Sequence, residues 1–294
     1  MFSAGNDVKK KEKTQTRLLK LFLKLAVTAF CFWYISKKID FSRALSVFSH
    51  AHLTWLLLAL FFFIFSKILS SIRLNIYFRN ISLQLPEITN LKLYWLGMFY
   101  NLFLPGAISG DAYKVILLKR KYNADYRKTS AAVLLDRFSG VLALGFILVA
   151  YGLIVLNNRN YEILLIAGAI LAFGFFYLLV ARYFKDFLPG FMPTFFWGLV
   201  VQLCQVICIY FILRSLQLPL IPEWIFIFLA SAVISVLPIS LGGGLGTREV
   251  VFAEGAHFFH LDPQLGVAIS LLFYLITVAG SAGGLYYSFK NPLE

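Results

Sequence analysis

Residues 53–72 run for twenty positions with a single charge, Lys67, and five further stretches are comparably apolar: 18–36, 129–156, 161–181, 194–213 and 264–288. Each approaches the roughly 20 residues that a helix needs to cross a hydrocarbon core. A water-soluble fold has no place for six such surfaces. The balance of residue types agrees, with 60% hydrophobic and 14% charged residues and a mean hydropathy of +0.79, against about 45–50% and about 25% in soluble domains. Thirty-one Phe, fifteen Tyr and five Trp suit a bilayer interior edged by aromatic belts. The expectation is an all-α polytopic membrane protein.

Four more helical pieces, 89–104, 107–121, 223–237 and 247–259, are too short to cross. They form two pairs, each broken by Leu-Pro followed by glycine: Leu104-Pro105-Gly106 in the first, Leu237-Pro238 and then Gly242-Gly243-Gly244 in the second. Proline cannot continue helical hydrogen bonding and glycine permits the reversal, so each pair is expected to be a re-entrant hairpin. Irregular backbone at that depth survives only when it is buried in protein or lines a wet cavity. The last span carries a clear start signal, Asp262 as N-cap and Pro263 at the first helical position.

The net charge of +13 would suggest nucleic acid in a soluble chain, but the cations lie mostly between apolar runs and are read as setting membrane orientation, with no nucleic-acid partner. If both hairpins return to the side they enter, the inner segments hold nineteen Lys and Arg and the outer ones six, as the positive-inside rule requires. Both termini are then cytoplasmic and the site is the cell (inner) membrane. The basic stretch before residue 18 is read as a cytoplasmic tail (1–17) ahead of a retained first span, since 33–36 offers no small-residue cleavage site. Residues 18–157 and 158–294 then repeat the order span, span, hairpin, span with opposite orientation. Such an inverted repeat, with interrupted segments at matching places, points to a transporter-type site.

Ionisable residues inside a membrane are costly and tend to be paired or functional. The candidates are Lys67, Asp111, Lys114, Asp136, Arg137, Arg248, Glu249 and Glu254. Asp111 and Glu249 open the second helix of each hairpin, where backbone N–H groups favour an anion such as phosphate. Lys114, Arg137 and Arg248 are expected to supply positive charge, and the carboxylates Asp111, Asp136 and Glu249 to orient the cations or exchange protons. The alternative is that these residues cap helices and form buried ion pairs that fix the hairpins. Segment 37–52 reads as an amphipathic interfacial helix, and the basic run 114–128 as inner-leaflet contact or solvated charge. Cys31, Cys204 and Cys208 all fall in apolar stretches, which excludes a disulfide scaffold. Glu254, His257 and His260 make a weak metal pattern, and no cofactor is expected. Gly242–Arg248 lacks the Lys-Ser/Thr of a phosphate-binding loop, and 280–284 lacks the spacing of a serine nucleophile.

The stretch Tyr100-Asn101-Leu102-Phe103-Leu104-Pro105 through Gly110-Asp111, the later Leu134-Leu135-Asp136-Arg137, Pro238 with Gly243-Gly244-Leu245-Gly246-Thr247-Arg248-Glu249, and Arg73 together resemble the flippase-like transmembrane domain of lysylphosphatidylglycerol synthases. Ser109-Gly110-Asp111 stands where that family usually has Gly-Gly-Asp, and Lys114 where it often has Arg. The family's aminoacyl-transferase domain has no counterpart in these 294 residues, so synthesis of lysyl-lipid is not expected. The resemblance implies movement of a phospholipid, or of a polyprenyl or sugar-linked lipid with a phosphate headgroup, between leaflets. Asn101, Pro105, Gly110, Asp111, Lys114, Asp136, Arg137, Gly243, Gly244, Gly246, Arg248 and Glu249 are its expected contacts. The competing readings are a membrane-embedded lipid-modifying transferase using Asp111 or Asp136 as base, and a non-catalytic partner of a separate transferase. An enzyme handling a polar donor generally needs a sizeable loop, and the longest connections here are about twenty residues.

Overall fold

The computed structural model describes residues 51–103, 109–236, 246–290 and 292–293. The basic tail (1–17), the span expected at 18–36, most of the amphipathic segment 37–52, and both breaks with Pro105, Gly243 and Gly244 lie outside the described residues.

Within them the chain is helical throughout: α1 (Leu53–Asn80), α2 (Glu87–Phe103), α3 (Ser109–Tyr122), α4 (Tyr126–Val155), α5 (Arg159–Tyr183), a 3-10 turn (Lys185–Gly190), α6 (Phe191–Ser215), α7 (Pro222–Val236), α8 (Thr247–Phe258), α9 (Pro263–Ser281) and α10 (Gly283–Phe289). Five helices, α1, α4, α5, α6 with its 3-10 lead and α9 continued by α10, are long and apolar enough to cross a membrane, matching the five expected spans that fall among the described residues. The 17, 14, 15 and 12 residues of α2, α3, α7 and α8 reach roughly 18–26 Å, short of the ~30 Å hydrocarbon core.

Helix ends follow local chemistry. Asp125 accepts from Lys128 N at 3.0 Å to start α4 and Asp262 from Gln264 N at 2.8 Å to start α9. At the other ends the chain reverses through left-handed residues, Ser82 (φ 60°) after α1 and Gln217 (φ 56°) after α6. There Leu83 N donates to Phe78 O and Leu218 N to Leu213 O, bonds that satisfy otherwise orphaned carbonyls.

Two boundaries differ from expectation. Helix α1 continues through Asn80 rather than ending near residue 72, because its polar stretch is buried in protein: Ser70, Arg73 and Asn75 are all nearly inaccessible. The last span bends at Ala282 instead of running unbroken from 264 to 288. Trp95 Nε1 donates to Gly280 O at 3.0 Å, and a methyl on Gly284 would lie 2.6 Å from Phe99 Cβ, so the bend lets α10 press onto α2.

The packing is centred on α1 against α6, with α4 against α6 and α7, α9 against α1 and α8, and α10 against α2. One end of the molecule is basic. There Arg79, at the end of α1, pairs with Glu87, at the start of α2. Lys128, at the start of α4, pairs with Asp186 at 2.7 Å, and Lys121, at the end of α3, donates to Leu293 O at 2.5 Å. The opposite end joins the start of α1 to the end of α6 through His52 N and Ser215 O at 2.9 Å. It also brings Phe226 of α7 and Phe259, just past the end of α8, into ring contact. Pair α2/α3 thus opens toward the basic end and pair α7/α8 toward the other.

Candidate functional site

The first helix pair is held by two glycines. A methyl on Gly110 would fall 2.9 Å from Gly97 Cα, so α2 and α3 cross backbone to backbone. The crossing is latched where Asn101 Oδ1 accepts from Gly110 N at 2.8 Å and Ser109 Oγ donates to Tyr100 O at 3.0 Å. That contact places Asp111 in the first turn of α3, 7% exposed. Asp111 receives Lys114 Nζ at 2.7 Å on one oxygen and Arg137 Nε, from α4, on the other. One residue earlier on α4, Asp136 Oδ1 accepts from Arg73 Nε of α1 at 2.8 Å, both side chains buried.

The second pair uses a different device. Gly246 precedes α8 in the left-handed region (φ 85°), a conformation that side-chain-bearing residues adopt at a cost of roughly 1–2 kcal/mol. Its N–H donates to Glu249 Oε2 at 2.6 Å, and Ser270 of α9 donates to Glu249 Oε1 at 3.4 Å. Arg248 Nε reaches back to Ser235 Oγ of α7 at 3.3 Å, and its guanidinium carbon lies 4.6 Å from the Phe273 ring centroid.

Between the pairs lies a cavity of about 240 Å³ whose wall includes Lys67, Asn101, Arg137, Gln205, Ser235 and Arg248. Both interrupted segments therefore border one space: Asn101 lies in the last turn of α2 before the first break, Ser235 in the last turn of α7 before the second, and Arg248 follows it. Among the described residues three cations line this space and no carboxylate does. Lys67 Nζ sits 4.7 Å from the Phe63 ring centroid. Neither Lys67 nor Arg248 has a carboxylate within 4.0 Å among the described residues. Like charges gathered at low dielectric repel strongly, and an anion entering the space relieves that repulsion. Phosphate suits it, because arginine can grip two of its oxygens at once.

Of the residues singled out in the sequence, Asn101, Arg137 and Arg248 line this cavity. Asp111 stands one layer behind, holding Arg137. Gly110, Gly246 and Glu249 shape the backbone around it. Asp136 is engaged with Arg73. Lys114 does not face this space with the other cations: it turns away, under Asp111 and 4.8 Å from the Tyr94 ring centroid, in room that Gly97 leaves for it. For the same reason the basic run 114–128 presents charge at the surface only after Lys114. Lys67, Gln205 and Ser235 were not among the expected contacts. The lone charge within 53–72 was the signal for Lys67; Gln205 and Ser235 had none beyond polarity inside apolar runs. Among the described residues no three His, Cys, Asp or Glu converge as metal ligands, and Cys204 and Cys208 are free and buried.

The chain matches the family described as the lysylphosphatidylglycerol synthase TM region over residues 21–190 and again over 187–284. A UPF0104 membrane protein of Pyrococcus horikoshii is 26% identical over 128 residues, an alignment that covers 43% of this chain and 38% of that protein. No solved structure matches the chain.

Proposed function

The chain belongs to the family of the lysylphosphatidylglycerol synthase TM region, and on that premise we propose that this multi-pass membrane protein carries a lipid with a phosphate headgroup from one leaflet to the other. The observation that carries the proposal is the cavity lined by Lys67, Arg137 and Arg248, with no carboxylate in its wall among the described residues. Phosphate docks there, Asp111 keeps Arg137 aimed, Ser235 holds Arg248 from the second pair, and Asn101 offers its side-chain N–H from the first. The protein acts as a transporter and not as an enzyme. A separate lipid-modifying transferase, where one operates, hands it the substrate.

Six spans and two re-entrant hairpins in an inverted repeat are the layout that this function uses. It is supported by matching neighbours in the two halves. Helix α1 corresponds to α6, α2/α3 to α7/α8 and α4 to α9 with α10. Under that exchange the packing of α4 on α6 and α7 maps onto that of α9 on α1 and of α10 on α2. The opposed openings of the two pairs follow from it. The basic end faces the cytoplasm of the cell (inner) membrane with both termini, and rocking of the halves about α1 and α6 alternates access to the headgroup.

The test is leaflet exchange of fluorescent phosphatidylglycerol in proteoliposomes. Asp111→Ala, Arg137→Ala and Arg248→Ala abolish exchange while leaving the protein folded by tryptophan fluorescence. Exchange retained in all three folded variants refutes the headgroup site.

A further inference from the structure

We propose that the cleft between α4 and α5 holds one hydrocarbon chain of the same lipid molecule whose phosphate occupies the cation cavity, an inference that rests on the headgroup reading above. The cleft encloses about 620 Å³ and its wall carries only Leu, Phe, Val, Ala and Gly side chains. It extends along residues 134–149 of α4, roughly 22 Å at helical rise and thus most of the hydrocarbon depth. Gly145 on α4 and Gly168 on α5 keep it open, since a methyl on either would meet nothing within 4 Å.

The cleft and the cavity share walls. On α4, Leu134 and Phe138 face the cleft while Arg137, between them in sequence, faces the cavity. On α7, Val233 faces the cleft while Ala232, Ser235 and Val236 face the cavity. A lipid gripped at Arg137 therefore has an apolar channel one helix-width away for its tail. The hydrophobic effect does not select this place, because bulk lipid is as apolar as the cleft. What holds a chain there is its covalent tether to an anchored headgroup, with dispersion contacts filling the gap. Occupancy of the cleft is thus headgroup-dependent, which ordinary annular lipid is not.

The experiment uses the full chain in phosphatidylcholine vesicles with a phosphatidic acid that carries a photoreactive diazirine in one palmitoyl chain, the labelled residues being mapped by mass spectrometry. The expected result is label concentrated on the cleft-facing residues of α4 and α5, displaced by unlabelled phosphatidic acid and not by diacylglycerol. Gly145→Leu and Gly168→Leu remove it. Gly174→Leu, also on α5 with open space at its Cβ but outside the cleft, keeps it. Arg248→Gln lowers the label about tenfold, the loss of one charge-assisted contact. Label spread equally over the exposed outer face at Ile163, Leu171 and Leu178, or displacement by diacylglycerol as effective as by phosphatidic acid, overturns the proposal. Leaflet exchange that Arg248→Gln abolishes, together with scattered label, refutes the cleft alone. Exchange unaffected by Arg248→Gln refutes the headgroup reading itself, and the tethered chain with it.

Discussion

Replacing Gly110 with alanine drives a methyl into the carbonyl oxygen of Gly97, nearer to it than to Gly97 C at 2.8 Å and Cα at 2.9 Å, where non-bonded heavy atoms prefer roughly 3.5–4.0 Å. Helices α2 and α3 must part by more than about 1 Å to clear that oxygen, since the obstacle is backbone and cannot rotate away. Overpacking of this kind costs about 1–3 kcal/mol. The parting also stretches the 2.8 Å bond from Gly110 N to Asn101, which adds about 1 kcal/mol. The sum, about 2–4 kcal/mol, lowers the melting temperature in detergent by roughly 5–15 °C at roughly 2–4 °C per kcal/mol. Gly145→Ala is the counterpart: its methyl meets nothing and it improves helix propensity by about 1 kcal/mol, so its melting temperature is unchanged or higher. Tryptophan fluorescence during a thermal ramp measures both. A Gly110→Ala protein that melts with the wild type, or a Gly145→Ala protein that falls as far, refutes the reading that the α2/α3 crossing is set by backbone contact.

Other substitutions test neighbouring parts of the account. Asp136→Asn leaves the buried Arg73 guanidinium without its counter-charge and costs about 3–5 kcal/mol in detergent-to-SDS unfolding, whereas the double change Arg73→Met with Asp136→Leu recovers most of that loss. Trp95→Phe removes the bond to Gly280 O and costs about 1 kcal/mol, seen as faster amide exchange at the α9–α10 bend. Asp262→Ala removes the cap of α9 for about 1 kcal/mol and raises exchange in its first turn only.

Punctuation was the most legible layer of the sequence. The expected pieces at 89–104, 107–121, 223–237 and 247–259 correspond to α2, α3, α7 and α8, and the ends that lie away from the two undescribed breaks agree within two residues, because turn and capping residues act locally. Hydropathy misled where burial in protein replaces burial in lipid. Residues 73–80 look like a polar loop yet form the last turns of α1, their polar groups met by partners such as Asp136 for Arg73 and Leu85 O for Asn75. The direction of individual charges was not legible either. Asp111 and Lys114 sit three apart on one helix face, and that spacing serves an internal ion pair as well as a shared ligand. Which cation turns to the cavity is decided by Gly97 and Tyr94, which receive Lys114, and by Asp111, which fixes Arg137. Those are tertiary facts. The bend at Ala282 had a signal in Gly283-Gly284, but its position depends on α2 lying against it.

The central claim is a positively charged space between two opposed helix pairs that receives an anionic headgroup. A cysteine at Gln205, which lines the cavity, in a chain whose three native cysteines are alanine, tests it most directly. A negatively charged sulfonate thiol reagent should modify that position faster than a positively charged reagent of equal size, and phosphatidic acid should protect it where diacylglycerol does not. Equal rates for the two reagents, or modification that phosphatidic acid leaves untouched, would contradict the account.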